Sequence, residues 1–265
     1  CRLSCTAAGA AARSSGFAPM QRCYTGKPGA IPVSFDAVLS APEIEALRLS
    51  LVIALAAVAC NLPLALAVAW LLTRPRLPAR WLFDALVHLP LVLPPVMTGY
   101  LLLLALGIHG PIGHWLYQQF GLRLPFTMSG AVIATAVMTL PLMVRSIRIA
   151  LERVDTGLEQ AARSLGAGPA DAFVSVTLPL MAPGVLAGAV TAFVAGLGEF
   201  GAVITFAGNI PGATRTLPMA LYAALQAPDG DAQALRIAGL SLALGVAGLA
   251  ASELLARRLR ARQAA

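Results

Sequence analysis

Five stretches of this chain are apolar for about 20 residues or more, enough to cross a bilayer core as a helix. They cover positions 49–72, 85–106, 129–150, 180–206 and 237–256. Between the third and fourth lies a more polar insert, 158–180, which reads LEQAARSLGAGPADAFVSVTLPL. Leading into it, Leu151, Val154, Leu158, Ala161 and Leu165 recur at helical spacing. Glu152, Arg153, Asp155, Glu159 and Arg163 fall largely off that stripe. The pattern predicts an amphipathic helix. Gly166 then suits its C-terminus, where a left-handed backbone is cheap for glycine. Pro169 suits the first turn of a second helix, and Asp171 favours the positive end of that helix's dipole. Phe173 is the one bulky aromatic of the insert and a candidate docking anchor. A surface hairpin folded onto its own protein would show the same periodicity.

Composition narrows the class. The 265 residues are 58% hydrophobic and 12% charged, against about 25% charged in a soluble domain. The chain is predicted to be all-α and polytopic, with about five transmembrane helices and a helix–Gly–helix loop on the cytoplasmic side. The net charge of +7 does not point to nucleic acid, because the arginines sit in short runs between the apolar spans. Arg74, Arg76 and Arg80 follow the first span, and Arg145, Arg148, Arg153 and Arg163 lie at and after the end of the third. Arg257, Arg258, Arg260 and Arg262 follow the fifth, whereas the opposite loops hold Arg123, Arg215 and, at a span edge, Arg236. The positive-inside bias therefore assigns the 158–180 loop and the C-terminus to the cytoplasm.

The second span is interrupted by Pro90, Pro94 and Pro95, which cannot donate backbone hydrogen bonds. Carbonyls freed at membrane depth need protein or a water-filled cavity beside them. Either a kinked packing helix or a pathway lining follows, and Pro94, Pro95 and Thr98 are the candidates for the second. In the fourth span, Gly184, Gly188, Ala192 and Gly196 form a row of small residues four apart, and Ser241 and Gly245 repeat the device in the fifth. Glu199 stands toward the outer end of the fourth span, where a carboxylate must avoid lipid. A gate-region hydrogen bond, an ion pair with Arg215 and a snorkelling surface glutamate all meet that demand. Like-charge repulsion excludes it as a ligand for an anion. The run Asn209-Ile-Pro-Gly212 predicts a turn.

Residues 1–33 stand apart. They lack acidic residues and hold Cys1, Cys5 and Cys23. They read as an atypical N-terminal segment: a targeting stretch, a disordered tail or an upstream translation artefact. Residues 34–265 form the membrane domain. Neither the cysteines nor His88, His109 and His114 have metal-ligand spacing, so no disulfide or metal site is expected. A phosphate-binding P-loop needs Lys followed by Ser or Thr after a glycine-rich turn; the single lysine, Lys27, precedes Pro28. No HExxH or GxSxG string occurs. No catalytic residues are expected, and energy must come from a partner.

The 158–180 insert resembles the "EAA" loop of the permease subunits of ATP-binding-cassette importers. Gln160, Ala161 and Ala162 occupy the triplet, Gly166 follows at the family's spacing, and Val176, Leu178 and Pro179 fit its apolar close. Gln160 replaces the usual glutamate, with Glu159 just before it. The string HLPLVLPPVMTGYLLLLALG resembles the molybdate-type branch, and GEFGA and FAGNIPGATRTLP resemble molybdate and sulfate permeases. The resemblance implies a permease subunit of an ATP-driven molybdate importer in the inner membrane, with sulfate or tungstate as alternative cargo. It implies a homodimer, cytoplasmic ATPase subunits that carry ATP and Mg, and an extracytoplasmic oxyanion-binding protein. This chain would bind no cofactor of its own. An ion-coupled secondary transporter working through Glu199 is the competing reading.

Overall fold

The computed structural model describes residues 40–73 and 79–264. The expectations for 1–33, Arg74 and Arg76 fall outside them. Every regular element among the described residues is helical. The elements are α1 (Ala41–Thr73), α2 (Arg80–Val92), α3 (Pro95–Leu106), α4 (Pro111–Phe120), α5 (Met128–Glu152), α6 (Thr156–Ser164), α7 (Pro169–Ala172), α8 (Leu178–Leu197), α9 (Gly201–Phe206), α10 (Leu217–Gln226) and α11 (Asp231–Ala264). A π-helical turn, Phe173–Thr177, joins α7 to α8. Four helical stretches are long and apolar enough to cross a membrane, and a fifth crossing results if the bent pair α2–α3 is one span.

Helix α5 is the central post, capped at its start by the Thr127 hydroxyl, which accepts the Gly130 amide at 3.1 Å. Helix α1 lies parallel to it. Leu49 and Ile53 meet Ala131 and Ala134 in one apolar cluster, and Ala65, Ala69 and Leu72 meet Met143, Val144 and Ile147 in another. Between the clusters, buried Asn61 of α1 donates to the Ala136 carbonyl at 2.9 Å and to the Thr139 hydroxyl at 3.1 Å. Two parallel helices require an odd number of crossings between them, and the α2–α4 segment supplies that crossing. The ends of α1 and α5 that precede the arginine runs therefore lie on one side of the bundle.

Helix α8 runs antiparallel to α5. A Cβ built on Gly184 would overlap Ala150 of α5, one on Gly188 would meet Ser146 at 3.0 Å, and one on Gly196 would meet Thr135 at 3.0 Å. The small-residue row thus lets the two backbones touch, and the Ser146 hydroxyl uses the closeness to donate to the Gly184 carbonyl at 2.9 Å. The analogous pair in α11 does not behave this way. Nothing lies within 4 Å of a Cβ on Gly245, and the Ser241 hydroxyl turns back onto its own helix at Ile237. Spacing alone cannot reveal that none of the described residues covers Gly245.

At the opposite end of the bundle, Glu43 is 1% exposed. Its carboxylate accepts the Ser40 amide at 2.8 Å, closing the first turn of α1 as a capping box does, and both Nε and Nη2 of Arg236 at 3.2 Å. The Leu217 amide donates to the Ser50 hydroxyl at 2.7 Å. These bonds tie the starts of α10 and α11 to α1.

Two spans differ from expectation. The second is broken after Val92, and its halves diverge by 116°. Pro90 is absorbed inside α2, whereas Leu93 and Pro94 are extended and Pro95 opens α3. Two consecutive prolines remove two successive amides, and proline holds the preceding residue out of the helical region. The fourth span ends at Leu197, not at 206, because Gly198–Phe200 leaves the helix and α9 starts separately.

Overpacking distinguishes the two glycine positions. Gly184→Val costs about 1–3 kcal/mol and lowers the unfolding temperature of the detergent-solubilised chain; Gly245→Val leaves it nearly unchanged.

Candidate functional site

The α6–α7 hairpin begins where α5 ends. The Asp155 carboxylate accepts the Gly157 amide at 2.8 Å and caps α6. At the far end Gly166 has φ +100°. Its amide donates to Arg163 O and the Ala167 amide to Ala162 O, both at 3.1 Å, which is a Schellman closure. Gly168 then precedes Pro169 at the first position of α7. The predicted helix–Gly–helix order is present, but the second helix is not a free arm. It runs through the π turn into α8, and the Leu178 amide reaches back five residues to Phe173 O. Pro179 accounts for that wide turn: its ring would strike the carbonyl four residues earlier in a regular α-helix.

The apolar stripe read along 151–165 does not run continuously. Leu151 and Val154 pack into the α1–α5–α8 core. The new cap at Asp155 redirects the helix, so Leu158 and Ala161 are exposed and Leu165 is 89% exposed. Thr156, Glu159 and Arg163 face inward instead. They line a cleft of about 1120 Å³ whose other walls include Trp70 of α1, Glu152 of α5 and Phe173. Glu159 is half-buried on this side, while Gln160 of the triplet is exposed and Ala162 is partly covered. Phe173 is half-buried against the core cluster of Met143, Ile147 and Met181. It forms a wall of the cleft, not a projecting anchor. Leu178 packs on the same cluster, Val176 is partly covered, and Pro179 is exposed. Leu165 is the protruding apolar residue. Its signal in the sequence is its place immediately before the hairpin glycine.

The two helix breaks meet elsewhere in the bundle. Helix α3 crosses α9 so closely that a Cβ on Gly99 would lie 2.6 Å from Ala202 O, and one on Gly201 would lie 2.6 Å from Pro95. Thr98 is buried beside this crossing, and its hydroxyl has no partner among the described residues. Pro94 and Pro95 are exposed on its open side. Glu199, in the loop before α9, accepts the Ala202 amide at 2.9 Å and so satisfies a donor at the start of α9. The ion pair with Arg215 does not form, because Arg215 Nε donates to the Asn209 side chain at 2.8 Å. Of the alternatives, the hydrogen bond in the break is the one present. The 209–212 turn is present too, with Ile210 O accepting the amides of Ala213, Thr214 and Arg215.

A polar ladder joins α2 to the end of α5. Arg148 donates to Asp84 Oδ2 at 3.1 Å and to Glu152 Oε1 at 2.9 Å, and Arg80 lies 4.0 Å from Glu152. Glu152 lines both the hairpin cleft and the cleft between α2 and α5. Among the described residues, no three His, Cys, Asp or Glu side chains gather as they would around a metal ion.

Residues 61–261 match the family described as binding-protein-dependent transport system inner membrane component. The chain is 52% identical over 225 residues to the molybdenum transport system permease protein ModB of Escherichia coli K12, covering 85% of this chain and 98% of that protein. It is 49% identical over 218 residues to the corresponding protein of Haemophilus influenzae, covering 82% and 95%. The sulfate transport system permease protein CysT of Salmonella typhimurium is 36% identical over 195 residues, covering 74% and 70%. Two solved structures share the fold. A methionine ABC transporter in an inward-facing conformation matches with TM-score 0.63 at 18% identity, covering 83% of this chain and 99% of that one. A bacterial alginate ABC transporter matches with TM-score 0.64 at 16% identity, covering 83% and 80%.

The Schellman closure has a direct test. Gly166→Pro fixes φ near −65° and removes the amide that reaches Arg163. Amide exchange across 163–168 should rise about tenfold or more, with α1 and α5 unchanged. Unaltered protection in the hairpin would mean the closure does not hold it.

Proposed function

This chain belongs to the binding-protein-dependent transport system inner membrane components, and from that premise we propose that it is the permease of an ATP-driven molybdate importer. It is a multi-pass protein of the inner membrane. Its substrate assignment is supported by the 52% identity to a molybdenum permease over nearly the whole of that protein. The 36% identity to a sulfate permease keeps sulfate as the second reading, and tungstate shares the same tetrahedral dianionic chemistry.

The observation that carries the mechanism is the outward apolar face of α6. An exposed Leu158–Ala161–Leu165 stripe at the end of a capped, glycine-closed hairpin is costly in water and favourable against a partner. The partner is a cytoplasmic ATPase subunit that holds ATP and Mg; this permease holds neither and performs no catalysis. Gln160 and Leu165 face the ATPase, and Glu159 stays on the cleft side. ATP binding closes two such ATPases and draws two hairpins together. Because α7, the π turn and α8 form one helical stretch, the displacement reaches the Glu199 break and the α3–α9 crossing. Pro94, Pro95, Thr98 and Glu199 then belong to the outer gate.

A second copy of the chain is supported by the exposed break at 93–95. Helix α2 has no buried residue, and the missing amides of Pro94 and Pro95 leave carbonyls that lipid cannot satisfy. A homodimer around a wet pathway satisfies them. A binding protein delivers the anion to the outer loops. The arginine-rich ends of α1 and α5, which lie together, support a cytoplasmic hairpin and C-terminus. Glu199 is occupied at the start of α9, so it supports a gate bond rather than ion coupling.

The permease, ATPase and binding protein in proteoliposomes should take up molybdate only with ATP and the binding protein present. Tungstate and sulfate serve as competitors, and stronger inhibition by sulfate than by tungstate would favour the sulfate reading. Leu165→Asp should weaken ATPase co-purification about tenfold. If the ATPase stays bound to that variant, the hairpin is not the dock.

A further inference from the structure

The cleft between α2 and α5 holds about 570 Å³ and is walled by Trp81, Asp84 and His88 on one side and Arg145, Arg148 and Glu152 on the other. Its charges are unevenly paired. Arg148 is held by both Asp84 and Glu152, and Arg80 shares Glu152. His88 Nδ1 lies 3.3 Å from Asp84 and 2.9 Å from that residue's carbonyl. Arg145 opens into the same space, is exposed, and has no hydrogen bond or ion pair among the described residues. Two carboxylates thus face three guanidiniums, and the uncompensated cation is Arg145.

Its depth makes this informative. Arg145 precedes the end of α5 at Glu152 by two helical turns, about 10 Å at 1.5 Å per residue. A guanidinium facing hydrocarbon there carries a cost, which its long side chain lowers by reaching toward the interface. Water or an anion on that face removes the cost. The face also has a direction. Trp81, Asp84, Ala85, His88 and Val92 stand at i, i+3, i+4, i+7 and i+11 along α2, so one stripe leads from the cleft to the break at Leu93–Pro95. Val92, at its top, is 81% exposed. The stripe of α2 that carries the cleft residues Trp81, Asp84 and His88 thus leads, one turn further on, to Val92 at the break.

We propose that the α2–α5 cleft is a transient binding site for a tetrahedral oxyanion dianion during passage, with the Arg145 guanidinium as its fork and Arg148 as a neighbour held in place by Asp84 and Glu152. The proposal rests on the import reading above. A planar guanidinium offers two parallel N–H donors to two oxygens of such an anion. Because Asp84 and Glu152 already neutralise the other arginines, one net positive charge meets a double negative one. Binding of that kind is strong enough to draw the anion in and weak enough to release it, as conduction requires.

Two measurements on the intact permease–ATPase–binding-protein complex test this. In the nucleotide-free complex, molybdate should slow phenylglyoxal modification of Arg145, read by peptide mass spectrometry. Chloride at equal ionic strength should not, and Arg163 on the hairpin should react at the same rate either way. In proteoliposomes, Arg145→Gln should lower molybdate uptake about tenfold, while ATP hydrolysis stimulated by the binding protein stays within about twofold. Arg145→Lys, which keeps the charge without the fork, should fall between. The site is refuted if molybdate gives Arg145 no protection, or if Arg145→Gln transports like the unmodified complex. It is equally refuted if uptake and ATP hydrolysis fall together, which marks a coupling role. An unmodified complex that imports no molybdate overturns the import reading itself, a result separable from failure at Arg145.

Discussion

Hydrocarbon offers a peptide group nothing to bond with, and each group left without a partner there costs several kcal/mol. Three helix irregularities among the described residues meet that constraint in different ways. Between α8 and α9 a carboxylate, Glu199, takes the exposed amide of Ala202. Below α8 the chain keeps its bonds by widening, so that Leu178 reaches Phe173 across a π turn. At 93–95 no side chain closes the gap, and the break stays open on the exposed face of the chain. Two of the breaks are sealed within the chain, and the third needs water or a second chain.

That difference organises the function. Close packing of α1, α5 and α8, with Gly184 against Ala150 and Asn61 bonded across to α5, makes a rigid body. The hairpin is attached to it on both sides, by the end of α5 and by the helical stretch that becomes α8. A pull on the hairpin is thus delivered to the bundle as a whole. Around α3 and α9 the helices are shorter and meet through Gly99 and Gly201. On the proposed import reading, the packed bundle is the lever and the α3–α9 crossing is the lining that moves.

Charge follows the same division. Glu43 and Arg236 are joined at the buried start of α1, where they fasten α1 to α11. The charges along α2 and α5 are only partly matched and border open space. Matched charges hold the scaffold together, and the unmatched Arg145 borders the open cleft.

Much of this was legible in the residues. Apolar length gave the spans, because the thickness of a bilayer is fixed. Gly166 and Pro169 gave the hairpin, because φ restrictions act over a few residues; the cap at Asp155 emerged only with the fold. The consecutive prolines at 94 and 95 announced a break. What the tertiary structure alone decided was direction and partnership: the 116° turn at that break, the early end of the fourth span, and the outward face of α6. It also decided that Glu199 bonds to α9 and not to Arg215, that Phe173 turns inward, and that Gly245 meets none of the described residues. Local stereochemistry determines where a chain must bend or stop. Which neighbour then fills the space depends on contacts between residues far apart in sequence, and periodicity carries no record of them.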